Sequence, residues 1–119
     1  MSEKKPIRAL FCLGVSQNFF DATQAEAMQV WQAFSAVLKG IANLPGTRVI
    51  GTIDDDQIMV GPSLAAPWTA YILADIPDME TATAACNLVR VTPVGDGTYK
   101  LWKYMRIEAR LGRELAIPQ

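Results

Sequence analysis

The segment Tyr99-Lys-Leu-Trp-Lys-Tyr-Met-Arg-Ile-Glu-Ala109 is the last strand-like stretch of this 119-residue chain, and its pattern decides how the fold closes. Successive side chains of a β-strand point to opposite faces of the sheet. One face of this strand therefore receives mainly apolar residues: Tyr99, Leu101, Met105 and Ile107. The other receives aromatic and charged residues: Trp102, Tyr104, Arg106 and Glu108. We predict that this second face lines either a ligand site or a subunit interface.

Strand and helix patterns alternate along the chain that leads to this segment. Strands are predicted over 7–15, 48–53 and 68–74, with a hairpin partner over 57–60 after the acidic turn 54–56. Helices are predicted over 25–42 and from the N-cap Asp78 through Val89. The order β-α-β-(β)-β-α-β predicts an α+β protein of the ferredoxin-like split βαβ type. Its two helices should pack on one face of an antiparallel sheet.

The first predicted helix carries apolar residues at helical spacing: Met28, Trp31, Phe34, Val37, Leu38 and Ile41. Asp21 or Thr23 is its predicted N-cap, and Thr23 with Glu26 has the spacing of a capping box. The helix should stop at Asn43-Leu-Pro-Gly46. Core packing is the expected role of Trp31 and Phe34, and an aromatic pocket is the alternative. The second helix should run through Met79, Ala82, Cys86 and Val89.

The length predicts a single domain, residues 1–119, in which half of the residues are hydrophobic. If both helices cover one face of the sheet, the other face is left apolar and uncovered. Exposed apolar patches larger than a few hundred Å² are rare on soluble monomers. We therefore expect a second copy of the chain to cover that face in a back-to-back homodimer.

Composition argues against several functions. A net charge of −1 does not fit a nucleic-acid binder, which normally carries a basic patch. No apolar run approaches the roughly 20 residues of a membrane helix, so no membrane partner is expected. The apolar run after Pro6 is interpreted as a first strand instead of a signal peptide, which predicts a cytoplasmic protein. Cys12 and Cys86 should then be reduced and buried.

The chain contains no histidine. A histidine-based catalytic triad, and a histidine ligand to haem or zinc, are therefore impossible. The run Asp54-Asp55-Asp56 lacks the alternate spacing and downstream glutamate of a calcium loop and is interpreted as a solvated turn. We expect neither a metal nor a cofactor.

Carboxylates, arginines and aromatic rings remain as candidates for chemistry. Glu108 and Asp21 are the candidate acid/base groups. For Glu108, a structural ion pair with Arg106 or Arg110 is the simpler interpretation. Arginine recognises carboxylates bidentately, so Arg8 or Arg106 is the candidate clamp for a ligand carboxylate. The candidate pocket walls are Trp68, Tyr71, Trp102 and Tyr104, the last also a candidate catalytic residue.

The element order, the Leu44-Pro-Gly46 junction and the expected dimer resemble the dimeric α+β barrel superfamily. That group includes muconolactone isomerase and small cofactor-independent monooxygenases. The segments Cys86-Asn-Leu-Val-Arg90, 101–110 and Gly112-Arg113 look more particularly like the small IacB-type proteins of bacterial indole-3-acetate degradation. This resemblance implies a role in aromatic catabolism but supplies no catalytic set to carry over.

Two functional hypotheses follow. In the first, a homodimer binds a small aromatic or indolic acid between helices and sheet, and isomerises it, transfers a proton or oxidises it without a cofactor. In the second, the protein is a non-catalytic accessory or small-molecule-binding homodimer. The sequence leaves open whether the protein is an enzyme and which sheet face meets the helices.

Overall fold

The computed structural model describes residues 5–55 and 68–118 and has an α+β fold. Its strands, in chain order, are β1 (Ile7–Val15), β2 (Arg48–Asp54), β3 (Ala70–Ile76), β4 (Pro93–Val94), β5 (Tyr99–Lys100) and β6 (Met105–Gly112). The four longer strands form one antiparallel sheet in the order β2-β3-β1-β6, and β4 pairs with β5 separately. The predicted α+β class and antiparallel sheet are confirmed. The predicted hairpin partner at 57–60 lies outside the described residues.

The helices are α1 (Gln17–Phe20), α2 (Gln24–Ala42) and α3 (Met79–Val91). The Thr23 hydroxyl accepts a hydrogen bond from the backbone N–H of Glu26 at 3.1 Å, and Asp78 accepts one from that of Thr81 at 2.9 Å. Side chains at these positions satisfy first-turn donors that have no partner within the helix. Thr23 and Asp78 are therefore confirmed as N-caps. The connection between β1 and α2 contains the single turn α1. None of the helices in the described ranges is long and apolar enough to cross a membrane.

The two faces of the sheet differ because only one packs with the helices. The buried residues of β1 and β3 on that face alternate with period two: Ala9, Phe11, Leu13, Ile72, Ala74 and Ile76. They form one core with the buried residues of α2 and α3. The residues between them, with their neighbours on β6, form what we call the open face: Arg8, Leu10, Cys12, Tyr71, Leu73, Asp75, Arg106, Glu108 and Arg110.

The closing segment is not one strand, which corrects the prediction for 99–109. After β5, residues 101–103 form a 3₁₀ turn, and β6 begins only at Met105. The turn is held by Leu101, whose side chain is fully buried and whose backbone N–H donates to the Thr92 carbonyl at 2.8 Å. Side-chain alternation does not continue through a turn. The mixed face predicted from residues 102 to 108 therefore does not exist as one surface.

The buried side of each long helix also differs from the predicted stripe. The buried residues of α2 are Val30, Ala33, Phe34, Val37 and Ile41, and those of α3 are Ala82, Ala85 and Val89. Met28 is 60 % exposed, Trp31 is 51 % exposed and Met79 is 57 % exposed. Three of these buried positions are alanines, and the large residues Met28, Trp31 and Met79 lie at the margin of the core. The expected core role of Trp31 is thus wrong, and that of Phe34 is confirmed.

Candidate functional site

A groove of about 270 Å³ lies between α2 and the neighbouring strands β2 and β3. Helix α2 contributes Trp31, Phe34, Leu38 and Ala42. Strand β2 contributes Val49, Thr52, Ile53 and Asp54, and the chain around the start of β3 contributes Thr69, Ala70, Tyr71 and Ile72. Because β2 is at the edge of the sheet, the side chain of Val49 remains partly exposed at the groove, whereas that of Ile53 lies on the open face beside Tyr71. The result is a mostly apolar cleft with aromatic walls, the common composition of small-molecule sites.

Trp31 is held at this groove by a chain of edge-to-face ring contacts. Its ring centroid lies 5.4 Å from that of Phe34 and 5.9 Å from that of Phe19, which lies 5.8 Å from Phe20. Aromatic pairs at such separations prefer this geometry. The unpredicted turn α1 places Phe19 beside α2, so Trp31 is supported from both sides although half of its surface is exposed.

The polar groups of the groove are few and include one charge among the described residues, Asp54. The Thr69 hydroxyl donates to a backbone carbonyl of β1 at 3.2 Å. Tyr71, by contrast, directs its side chain to the open face, where its hydroxyl lies 3.5 Å from a carboxylate oxygen of Asp55 and donates to it. Burial raises the pKa of Tyr71, and the negative charge of Asp55 raises it further. The phenol therefore stays protonated at neutral pH and able to donate.

Arg106 and Trp68 meet near the start of β3. The guanidinium carbon of Arg106 lies 5.5 Å from the ring centroid of Trp68, within the range of a cation–π contact. Neither residue is among those that line the groove. The predicted carboxylate clamp and one of its predicted walls are therefore brought together outside it.

The ion pair expected for Glu108 is present. Its Oε2 atom lies 3.0 Å from Arg110 Nη2. That oxygen is buried and accepts no hydrogen bond from a donor in the described ranges, so charge attraction alone holds the pair. Arg110 is largely exposed, and such surface pairs contribute about 0–1 kcal/mol to stability. Glu108 is also the cross-strand neighbour of Cys12.

Cys12 is buried, as expected, although it belongs to the open face. Burial raises the pKa of its thiol, and the nearby charge of Glu108 raises it further. Cys86 is only half-buried, and burial raises the pKa of its thiol as well. Both thiols are thus protonated near neutral pH and poor nucleophiles. No three His, Cys, Asp or Glu side chains of residues 5–55 and 68–118 form a group able to hold a metal ion.

Arg8 forms an ion pair with Asp75. Its Nε atom donates to Asp75 Oδ1 at 2.7 Å, and Arg48 Nη2 donates to Asp75 Oδ2 at 3.0 Å. The three residues form a row across β1, β3 and β2. The hydrogen bond from Arg8, aided by that from Arg48, lowers the pKa of Asp75 and outweighs the opposing effect of burial. Arg8 is therefore a structural cation here and does not line the groove.

The remaining candidates lie elsewhere. Trp102 is 62 % exposed, with the Arg90 guanidinium carbon 5.6 Å from its ring centroid. Tyr104 is buried and lines a separate, polar cavity with residues of α2 and of the segment 94–103. Asp21 is exposed at the end of α1, where it accepts a hydrogen bond from the Gln17 amide at 3.1 Å. Of the eight predicted site residues, Tyr71 alone is among the described residues that line the groove, and its side chain belongs to the open face.

Sequence reasoning missed the part of the groove that β2 supplies. Val49 and Thr52 sit on the predicted strand 48–53, but no pattern within the strand indicates that it lies at the edge of the sheet beside α2. Asp54 was predicted in the solvated turn 54–56, and the structure corrects this because Asp54 is the last residue of β2. A usable signal was present in α2, where Trp31, Phe34 and Leu38 recur at the spacing of one helix face. No protein-family model matches the chain, and no curated protein matches it significantly.

Proposed function

We propose that this protein binds a small planar aromatic molecule in the groove between α2 and β2–β3. One observation carries the proposal: two aromatic residues of one helix face, Trp31 and Phe34, line a mostly apolar cleft of about 270 Å³ against β2 and β3. Ligand pockets commonly measure about 300–1,000 Å³. The groove lies just below that range, so a small ligand of one or two fused rings suits it. The resemblance to IacB-type proteins supports an indolic intermediate of aromatic catabolism as that ligand.

Binding without catalysis is the form of this function that the geometry favours. The predicted acid/base groups Glu108, Asp21 and Tyr104 are absent from the groove lining, and Glu108 is paired with Arg110. A general acid or base has to reach the substrate within hydrogen-bond distance or through one water. We therefore place the non-catalytic small-molecule binder ahead of the cofactor-independent isomerase or oxidase.

We further propose a cytoplasmic homodimer, a ferredoxin-like unit of a dimeric α+β barrel. The strand order β2-β3-β1-β6 and the packing of α2 and α3 into one core support that assignment. The open face supports the dimer because Leu10 and Leu73 lie on it uncovered by a helix. Sedimentation tests this part: a stable monomer at micromolar concentration would contradict it.

Indole binding to matched tryptophan variants tests the binding proposal. Calorimetry should detect indole binding to the wild type, and Trp31→Ala should weaken it at least about tenfold through loss of the stacking wall. Trp102→Ala removes an equally large exposed ring that does not line the groove, so its affinity should match the wild type. The proposal is wrong if indole does not bind at millimolar concentration, or if the two variants lose affinity equally.

A further inference from the structure

We propose that the groove selects an aromatic molecule with a positively charged nitrogen, an arylalkylamine, over the corresponding aromatic acid. This inference rests on the proposed function, because it names the substituent carried by the ring that the groove binds. The proposed amine takes the place of the carboxylate that the sequence analysis expected on the aromatic ligand.

The charge at the groove is negative. Asp54 is the one charged residue among the described residues that line it, and it lies on the same face of the sheet as its cross-strand neighbour Ala70 and the core residue Ile72. A ligand ammonium group would be attracted to this end of the groove, whereas a carboxylate would meet a like charge.

The nearby strands offer no free cation to reverse that preference within the described ranges. Arg8 and Arg48 both donate to Asp75. Arg106 lies over the ring of Trp68, and Arg110 is paired with Glu108. All the arginines of β1 and β6 named here belong to the open face, not to the groove lining. A bidentate arginine clamp, the usual device for a carboxylate, is therefore missing from the described groove.

The aromatic walls suit a cation as well as a ring. Trp31 has half of its surface exposed at the groove, and tryptophan is the side chain that attracts cations most strongly through its ring face. An arylalkylamine combines the two requirements, because its ring stacks on the apolar wall while its ammonium group reaches the carboxylate. Size alone does not discriminate, since the acid and the amine built on one ring are similar in volume.

Three probes that share one ring separate these contributions: tryptamine, indole and indole-3-acetate. Calorimetry at pH 7 and low salt should rank their affinities in that order, with tryptamine at least about tenfold tighter than indole-3-acetate. Added salt should lower the affinity for tryptamine and leave the affinity for indole unchanged, because only tryptamine binds through charge. Asp54→Asn should reduce the affinity for tryptamine to that for indole. Asp55→Asn makes the same charge change one residue away, outside the groove lining, and should keep most of the preference.

The possible outcomes separate the amine selectivity from the aromatic binding on which it rests. If indole binds but indole-3-acetate binds as tightly as tryptamine or more tightly, the amine selectivity is refuted and the aromatic groove stands. If Asp55→Asn lowers the affinity for tryptamine as much as Asp54→Asn does, the assignment of Asp54 as the selecting group is refuted. If none of the three probes binds, both the groove function and its selectivity are refuted.

Discussion

Arg8 Nε lies 2.7 Å from Asp75 Oδ1, and the two residues face each other directly across β1 and β3. Asp75 is 8 % exposed, so its charge depends on this contact and on Arg48 from the other side. Cross-strand pairs of opposite charge stabilise a sheet at the point where they meet. The row therefore fastens the three strands together on the face that the helices do not cover.

Asp75→Asn should destabilise the protein by about 1–3 kcal/mol, because two arginines lose their charged acceptor. Arg48→Ala should have a smaller effect, since that side chain is 74 % exposed and its interaction is screened by solvent. Urea denaturation of both variants measures the difference in unfolding free energy. Equal losses in the two variants would show that Asp75 has no special role.

Acid should remove the contribution of Asp75. The pKa of this carboxyl is lowered in the folded protein, so the unfolded chain takes up its proton first as the pH falls. The stabilisation is complete above the ordinary aspartate pKa of about 3.9 and is lost as the pH falls through the lower folded-state pKa. Unfolding free energies measured from pH 7 to pH 2 should therefore fall more steeply below pH 4 in the wild type than in Asp75→Asn. Parallel curves would contradict this.

Gly46→Ala should destabilise the protein by about 1–3 kcal/mol, because two penalties coincide. Gly46 has φ of +79°, and a Cβ there would lie 2.9 Å from Pro77 Cγ. Gly112→Ala is the control: φ of Gly112 is not positive, and a Cβ there would have no atom within 4 Å. Thermal unfolding should show a lower Tm for Gly46→Ala and nearly the wild-type Tm for Gly112→Ala.

Arg106→Ala should change the environment of Trp68 without changing the groove. The guanidinium lies over that ring and does not line the groove, so its loss should shift Trp68 emission while indole affinity stays within about twofold of wild type. To isolate the emission of Trp68, Arg106→Ala is also made in a protein that carries Trp31→Phe and Trp102→Phe. The indole affinity of the single variant Arg106→Ala is measured by calorimetry. A large loss of affinity would make Arg106 a ligand residue, as the sequence first indicated.

The two thiols should react at different rates in the folded protein. Cys12 is 2 % exposed and Cys86 is half-buried, so iodoacetamide at pH 8 should modify Cys12 at least about tenfold more slowly. Peptide mass spectrometry identifies the modified residue, and the difference should disappear in guanidinium chloride. Equal rates in the native protein would show that the sheet around Cys12 opens readily.

The elements that were predicted well are those in which neighbouring residues decide the outcome. Thr23 and Asp78 cap their helices because a side-chain oxygen satisfies a backbone donor three residues on. Gly46 ends its loop because its own backbone conformation suits glycine. The prediction for the closing segment was wrong because packing with distant parts of the chain decides its shape. Leu101 is buried in a turn at a place where strand alternation predicts a continuous strand.

By itself, the sequence determined the α+β class, the two long helices with their caps, and the absence of histidine chemistry, all of which are local or compositional. Only the tertiary structure decided which face of the sheet the helices cover, because β1 is apolar on both sides and its pattern does not choose. The structure also separated Trp102 and Tyr104 from Arg106 and Glu108, and it placed Trp31, Val49 and Asp54 around one groove. Those groupings depend on which elements become neighbours when the core packs, and short-range patterns carry no information about that.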